Sequence, residues 1–315
     1  MLINKKIHLG SLLLLLGHGM AIAQPVGGGG IPLLQIPPAP VQTQEAPRLE
    51  VEPVRAVPSV SADKTRIRVQ SIRLTGVQVY PESELLAQTA FQPGSELTLT
   101  ELREMAGRIS DFYHRKGFFL AHAYLPPQDI KDGVVTMAIV VGQYGKVAIH
   151  NETNLNQGLA DGLLSGVDQG DLIEAAPLEE RLLLLSDLAG VRVNSTLVPG
   201  AQPGTSDLNV NLTPGPRVSG SIDADNAGLP ATGAYRLGAT VNVNNLAGLG
   251  DVASVRVLSS GSGMTYGRAS YQLQLGRATV GAAYTQLNYA LGKDFTDLGA
   301  HGTAKIASLY ARVIR

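Results

Sequence analysis

The chain has 315 residues, enough for two or three compact domains, of which 44% are hydrophobic, 16% charged and 5% aromatic. Its formal net charge is -1 and it contains no tryptophan, which argues against a nucleic-acid-binding protein held by a basic field. Cysteine is absent, so disulfide bonds, a cysteine nucleophile and thiolate metal sites are excluded.

The N-terminus has the pattern of a secretory signal peptide. Two lysines precede an apolar run at 9–16, and alanines at 21 and 23 suit a signal peptidase. A membrane-anchoring helix is the alternative, but the run is too short for a hydrocarbon core of roughly 30 Å. We therefore predict a signal peptide at 1–23, with the mature chain starting at Gln24.

Residues 24–65 are rich in proline and glycine and are predicted to form a flexible linker. Four consecutive glycines at 27–30 are the kind of sequence found in phosphate-binding loops. No predicted strand precedes them and no Gly-Lys-Ser/Thr follows, so the linker interpretation is favoured.

Residues 66–145 are predicted to form one small domain with the order strand, helix, helix, strand, strand. The stretch RIRVQSIRLTGV alternates as a strand does and ends at Gly76, and ESELLAQTAF follows as a short helix. Thr98 and Glu101 form a capping-box signature at the start of the second helix. FFLAHAYL and VVTMAIVVG are the two closing strands.

Residues 146–215 repeat that order. KVAIHN is predicted as a strand, LNQGLADGLLSG and APLEERLLLLSDLAG as helices, and VRVNSTLVPG and SDLNVNLTPG as strands. Two tandem copies of one unit are therefore expected. Each copy is close to the lower size limit for independent folding, so packing against a neighbour would stabilise it.

Residues 216–315 change character, because polar and apolar residues now alternate with a period of two. Val218 and Ile222 share one side of the first segment, and Asp223 and Asp225 share the other. The apolar sides must be covered by a second sheet or by lipid. Long and short connections alternate, as in outer-membrane barrels, and about six strands can be counted.

Three stretches of the sequence carry motifs of a known family. YHRKGFFLAHAYLPPQDIKDGVVTMAIVVGQYGKV resembles a first POTRA repeat, LEERLLLLSDLAGVRVNSTLVPGAQPGTSDL resembles a second, and DNAGLPATGAYRLGATVNVNNLAGLGD is similar to the start of a barrel. All three occur, in this order, in the two-partner secretion transporters (ShlB/FhaC/HecB-like) of the Omp85 superfamily. The residues at family motif positions are Gly117, Phe118, Pro126, Gln128, Asp225, Asn226 and Gly228.

The resemblance implies an α+β fold plus transmembrane β-structure: two tandem POTRA domains (β-α-α-β-β) at 66–145 and 146–215, and then the first six or so antiparallel strands of an outer-membrane barrel at 216–315. It implies an outer-membrane location with the POTRA domains in the periplasm. The implied partners are outer-membrane lipid and a secreted exoprotein, of haemolysin or adhesin type, that carries an N-terminal secretion domain. Enzymatic activity, a cofactor and nucleic-acid binding are not implied.

Partner docking in this family is expected to use strand addition at a sheet edge, where main-chain hydrogen bonds supply affinity. The candidate edges are FFLAHAY and VRVNSTL. The partner-binding residues predicted on them are Phe119, Ala121, Ala123, Val191 and Val193.

The sequence departs from the family in one respect, because the family's Val-Arg-Gly-Tyr motif does not occur. Six strands alone would leave two unpaired edges in lipid, where every unsatisfied backbone group is costly. We therefore expect the chain to be a truncated product. An in-frame continuation of about 250 residues, scaled from roughly 10 residues per strand plus loops, would restore a channel.

The sequence shows no catalytic or metal constellation. Ser110, Asp111 and His114 fall within about one helix turn, without a nucleophile elbow, and are interpreted as a solvated helix face. The six histidines have no metal-ligand spacing. Two other functions stay open beside the exporter: an Omp85-type factor that inserts barrel proteins, and a soluble periplasmic binding or scaffold protein.

Overall fold

The computed structural model describes residues 46–52, 65–261 and 263–313, which form two mixed α/β modules and a six-stranded antiparallel sheet. The predicted signal peptide and most of the predicted linker lie outside the described residues. The linker prediction is wrong for β1 (Arg48–Val51), because these four residues form a strand of the second module's sheet. In the described segments, no helix combines the length and apolar character needed to span a bilayer.

The first module packs two helices against a three-stranded sheet. Its elements are β2 (Arg66–Val69), β3 (Ser71–Thr75), α1 (Glu82–Thr89), β4 (Ser95–Thr98), α2 (Leu99–Arg115), β5 (His122–Tyr124) and β6 (Val134–Val140). The central strand β6 runs parallel to β3 and antiparallel to β5, while β2 pairs with β4. The single strand predicted at 66–76 is therefore two strands, because its halves have different partners.

Helix α2 begins as predicted. The Thr98 hydroxyl accepts the Glu101 N–H at 3.2 Å, and the Thr98 N–H donates to the Glu101 carboxylate at 2.7 Å. That backbone hydrogen bond is the main reason why the pKa of Glu101 lies below its usual range. The apolar side of the helix lies in the core of the module: Leu102, Met105, Ile109 and Phe112.

The second module repeats the first in outline. Its elements are β7 (Gln143–Asn151), α3 (Gln157–Leu163), α4 (Ala175–Ser186), β8 (Val191–Pro199) and β9 (Thr205–Pro214). The sheet order is β1-β8-β9-β7, with β8 antiparallel to β9 and the other two pairs parallel. The second module begins earlier than the predicted boundary after residue 145. Tyr144 is buried in its core, and this burial raises the pKa of Tyr144 to about 12.

The third part is an open sheet in which each strand is antiparallel to the next along the chain. Its strands are β10 (Val218–Asp225), β11 (Arg236–Asn244), β12 (Val252–Ser259), β13 (Met264–Leu275), β14 (Ala278–Ala290) and β15 (His301–Val313). The prediction of six strands with a period of two is confirmed. The connections at 245–251 and 276–277 close one end of the sheet, here called the short-turn end. The connections at 226–235, 260–263 and 291–300 lie at the other end, and the last of them contains a 3-10 helix (Lys293–Leu298).

Candidate membrane face and docking edges

The six-stranded sheet has one strongly apolar face, here called the outer face. The β-ladder places Val241 opposite Val255 and Ala239 opposite Val257 on this face. Among the described strand residues, Lys305 is the one Lys, Arg, Asp or Glu on it. Its large exposed side chains are Val218, Ile222, Leu237, Val241, Val255, Val257, Tyr271, Leu275, Tyr284, Leu309 and Val313. An exposed apolar surface of this extent is unfavourable in water and suits hydrocarbon.

The opposite, inner face is polar and carries a charge pair that crosses a strand. Both guanidinium NH groups of Arg256 on β12 donate to the Asp223 carboxylate on β10 at 2.9 Å. Strand β11 lies between them and offers Gly238 at the crossing point. A Cβ on Gly238 would lie 2.6 Å from Asp223 Oδ2, so the pair requires glycine there. Arg256 is only 4% exposed, which makes Asp223 its essential counter-charge.

The family motif residues of the sheet organise the first loop. The Asp225 carboxylate accepts from Arg236 Nε at 2.8 Å and from the Ala227 N–H at 3.0 Å, which starts the turn after β10. Gly228 donates its N–H to the Ala234 carbonyl, and a Cβ on Gly228 would lie 2.1 Å from the Gly233 oxygen. Asn226 is exposed.

The first motif pair of the POTRA region ends helix α2. Gly117 adopts φ +96°, a left-handed conformation that favours glycine, and its carbonyl accepts the N–H of Ala175 at the start of α4. Phe118 is buried in the first core with its ring edge-on to Tyr80 and Tyr113. This pair therefore links the end of α2 both to its own core and to the next module.

Pro126 and Gln128 finish the pairing that β5 begins. Strand β5 covers only the last part of β6, and the chain then leaves the sheet ahead of Pro126. Beyond β5, the Gln128 side-chain amide bonds to β6 at Thr136. It accepts the Thr136 backbone N–H and donates to the Thr136 carbonyl, both at 2.7 Å. The side chain thus imitates one more residue pair of a β-ladder.

The first predicted docking edge lies on β5, but the side chains predicted to contact a partner point inward. Ala121 and Ala123 are buried in the first core, and Phe119 is half-buried against the second. The outer backbone groups of this edge are occupied by α2. Ser110 Oγ accepts the Ala123 N–H at 2.9 Å, and His114 Nε2 lies 2.8 Å from the Ala121 carbonyl oxygen. The prediction of a solvated helix face is therefore wrong for Ser110, which is buried.

The second predicted docking edge lies on β8 and is already paired. Val191 and Val193 are buried in the second core. Strand β1 runs parallel to β8 along its outer side, with Arg48 opposite Asn194 and Val51 opposite Leu197. The β8 edge is therefore not free in this structure, because part of the segment assigned to the linker covers it.

Hydrogen bonds join the second module to the connection between β11 and β12 of the sheet. Asn154 Nδ2 donates to the Asn245 carbonyl, and Asn245 Nδ2 donates to Asn154 Oδ1, at 2.9 and 2.8 Å. The Asn156 N–H donates to the Gly248 carbonyl at 2.8 Å. Asn245 is buried in a left-handed conformation, and the buried Asp251 carboxylate accepts two N–H groups of the turn. The junction is thus a specific contact between β7–α3 and β11–β12.

We expect Gly248→Ala to loosen this junction. Gly248 has φ +76°, and a Cβ there would lie 2.6 Å from the Asn154 carbonyl oxygen. The left-handed conformation would cost an alanine about 1–2 kcal/mol, and the clash with the backbone would cost about 1–3 kcal/mol more. Amide hydrogen exchange at Asn156 should become faster.

Gly261→Ala is the matched control for that variant. Gly261 has φ +81°, but nothing lies within 4 Å of its Cβ position. It carries the same left-handed strain without the clash, so exchange at Asn156 should stay as in the parent chain. Equal acceleration in both variants would contradict the role given to the junction.

Comparison with known proteins agrees with this architecture. Residues 67–142 match the family description "POTRA domain, ShlB-type", and residues 204–312 match "Haemolysin secretion/activation protein ShlB/FhaC/HecB". The heme/hemopexin transporter protein HuxB of Haemophilus influenzae is 32% identical over 213 residues, which are 66% of this chain and 38% of that protein. The chain therefore spans well under half the length of this curated relative.

Two solved structures share the fold. CdiB from Escherichia coli superposes with a TM-score of 0.62 at 23% identity, over 82% of this chain and 50% of that one. CdiB from Acinetobacter baumannii superposes with a TM-score of 0.54 at 21% identity, over 85% and 54%. With both family matches in order along one chain, the sequence belongs to the two-partner secretion transporters of the Omp85 superfamily, the family of ShlB, FhaC and HecB.

Proposed function

We propose that this chain acts in the export of a partner exoprotein across the bacterial outer membrane, with its six-stranded sheet in lipid and both POTRA modules in the periplasm. The outer face of the sheet carries this proposal, because side chains such as Ile222 and Leu309 are more than four-fifths exposed. The role is that of a transporter rather than an enzyme, in keeping with the names of its relatives. The partner is a secreted protein with an N-terminal secretion domain.

The first module offers β5 as a docking edge for an extended segment of that partner. A strand added there would take the Ala123 N–H from Ser110 and the Ala121 carbonyl from His114. Main-chain hydrogen bonds would give the affinity. His122 and Tyr124 project from the exposed side of β5 with stacked rings 5.9 Å apart, and they would supply the selective contacts.

The β8 edge is a second docking site, which β1 occupies before the partner binds. The paired region is short, with four residue pairs. Hydrogen bonds from the Glu52 N–H to the Leu197 carbonyl and from the Ser195 hydroxyl to the Arg48 carbonyl add to it. Only Leu49 of this strand packs against the second core. A longer partner strand would gain more pairs than β1 provides and could therefore replace it.

A binding measurement with a serine variant tests the β5 edge. In Ser110→Ala the Ala123 N–H loses its acceptor, and an unsatisfied buried donor costs about 1–3 kcal/mol. A partner strand would restore that hydrogen bond. We therefore expect the secretion domain encoded by a neighbouring exoprotein gene to bind the variant about 5- to 10-fold more tightly in calorimetric titration.

Ser186→Ala is the control for this titration. Ser186 is as buried as Ser110, but it bonds to Leu183 in its own helix, away from β5. Its affinity for the secretion domain should equal that of the parent chain. Unchanged or weaker binding by Ser110→Ala would count against docking at β5.

A further inference from the structure

The inner face of the sheet has an excess of positive charge. In the described strands β10–β15, this face carries four arginines and two aspartates. The residues are Arg236, Arg256, Arg268, Arg312, Asp223 and Asp225. Two of the arginines are matched by the aspartates at 2.8 and 2.9 Å. Arg312 is exposed near the short-turn end, which leaves Arg268 as an inward-facing charge in the middle of the sheet.

Arg268 has no acidic partner within the part of the chain that the structure describes. Its one hydrogen bond is a long contact of 3.4 Å from an NH group to the Thr285 hydroxyl on β14. The side chain is only partly exposed. The Arg268 guanidinium has further N–H groups besides the one that donates to Thr285, and the Thr285 hydroxyl can also donate.

The strand register places a second arginine directly beside it. Arg256 on β12 lies opposite Arg268 on β13. Like charges in directly opposed positions destabilise a sheet. Asp223 balances the charge of Arg256 but not that of Arg268. The buried Arg256 Nε has no hydrogen-bond acceptor among the described residues. This row of the sheet continues to Thr240 and Thr285, whose hydroxyls each accept from one of the two arginines, and its four residues include no carboxylate.

We propose that Arg268 and Thr285 form a carboxylate-binding site on the inner face, which holds an Asp or Glu side chain of a polypeptide segment lying against that face. A carboxylate is planar and accepts two parallel N–H bonds from a guanidinium, so it suits Arg268 better than a hydroxyl does. It would also balance the opposed arginine. The site rests on the proposed function, since the inner face is where an exported segment would pass.

Thermal unfolding of the full chain in detergent micelles tests the site. The probes are an acetylated and amidated hexaglutamate peptide, the matching hexaglutamine peptide, and sodium phosphate, all at equal ionic strength. Hexaglutamate should raise the unfolding midpoint of the parent chain by about 2–4 °C, and hexaglutamine should not. Arg268→Gln should lose this shift, while its midpoint without peptide should be no lower than that of the parent.

Two further variants keep the test decisive. Arg312→Gln removes an exposed inner-face charge and should keep the full shift. Arg268→Lys keeps the charge but not the planar fork, so it should show a reduced shift even where Arg268→Gln does not fold. The proposal is overturned if hexaglutamate produces no shift, if Arg268→Gln keeps it, or if phosphate alone is effective, which would make this a site for free anions.

The peptide shift can also be separated from the proposed function. Each detergent sample is tested for heat-modifiable migration on gels and then transferred to lipid vesicles. A chain that folds and inserts without a peptide shift contradicts the carboxylate site alone. A chain that shows the shift but does not enter lipid contradicts the membrane role alone.

Discussion

Asp223→Ala should cost about 3–5 kcal/mol of the free energy of unfolding, measured by urea titration of the chain in lipid vesicles with circular dichroism. The variant removes both carboxylate bonds of Arg256 and leaves that guanidinium with the Thr240 hydroxyl alone. Because Arg256 is 4% exposed, water cannot replace the lost partner. The cost is therefore that of an uncompensated buried charge.

A second substitution should recover most of this loss. When Arg256→Met is added to Asp223→Ala, the buried charge disappears, and an apolar pair of this kind is often as stable as the ion pair. Ser221→Ala is the control, since Ser221 lies on the same face of β10. A loss as small as that of Ser221→Ala, or a double variant no better than the single one, would contradict the importance of the pair.

Val255→Lys should be the second large effect, with a loss of about 2–4 kcal/mol in vesicles. Val255 lies near the middle of β12 on the outer face and is 54% exposed. A lysine there would place its ammonium group in hydrocarbon. The same vesicle titration measures the loss.

Ser254→Lys is the matched control, because Ser254 is the preceding residue and faces the polar inner side. Its loss should be below about 1 kcal/mol, since a lysine on the inner face can remain hydrated. If the two lysines had equal costs, the outer face would not be facing lipid. In a soluble protein both lysines would be tolerated.

Local chemistry made part of this structure predictable from sequence. Thr98 and Glu101 are three residues apart, and their capping box depends on nothing outside helix α2. The period of two between Val218 and Asp225 likewise follows from the geometry of a single strand, so the two sides of β10 were predicted correctly. The family motifs supplied the order of the modules.

What was not predicted depends on contacts between distant parts of the chain. The Ser195 hydroxyl bonds to the Arg48 carbonyl across 147 positions, and no local pattern predicts that a proline-rich segment covers β8. The capping of β5 by Ser110 and His114 also depends on how α2 packs. FFLAHAYL was predicted as a strand, of which only His122–Tyr124 forms β5, and the sequence alone could not show which side of that strand lies in the core.

Lipid quenching of a single tryptophan tests the central claim most directly, since the chain has none of its own. Ile222→Trp places the indole on the outer face, and Ser221→Trp places it on the inner face one residue away. In vesicles of brominated phosphatidylcholine, the fluorescence of Ile222→Trp should be strongly quenched and that of Ser221→Trp much less so. Equal quenching of both variants, or no quenching of either, would contradict the placement of this sheet in the membrane.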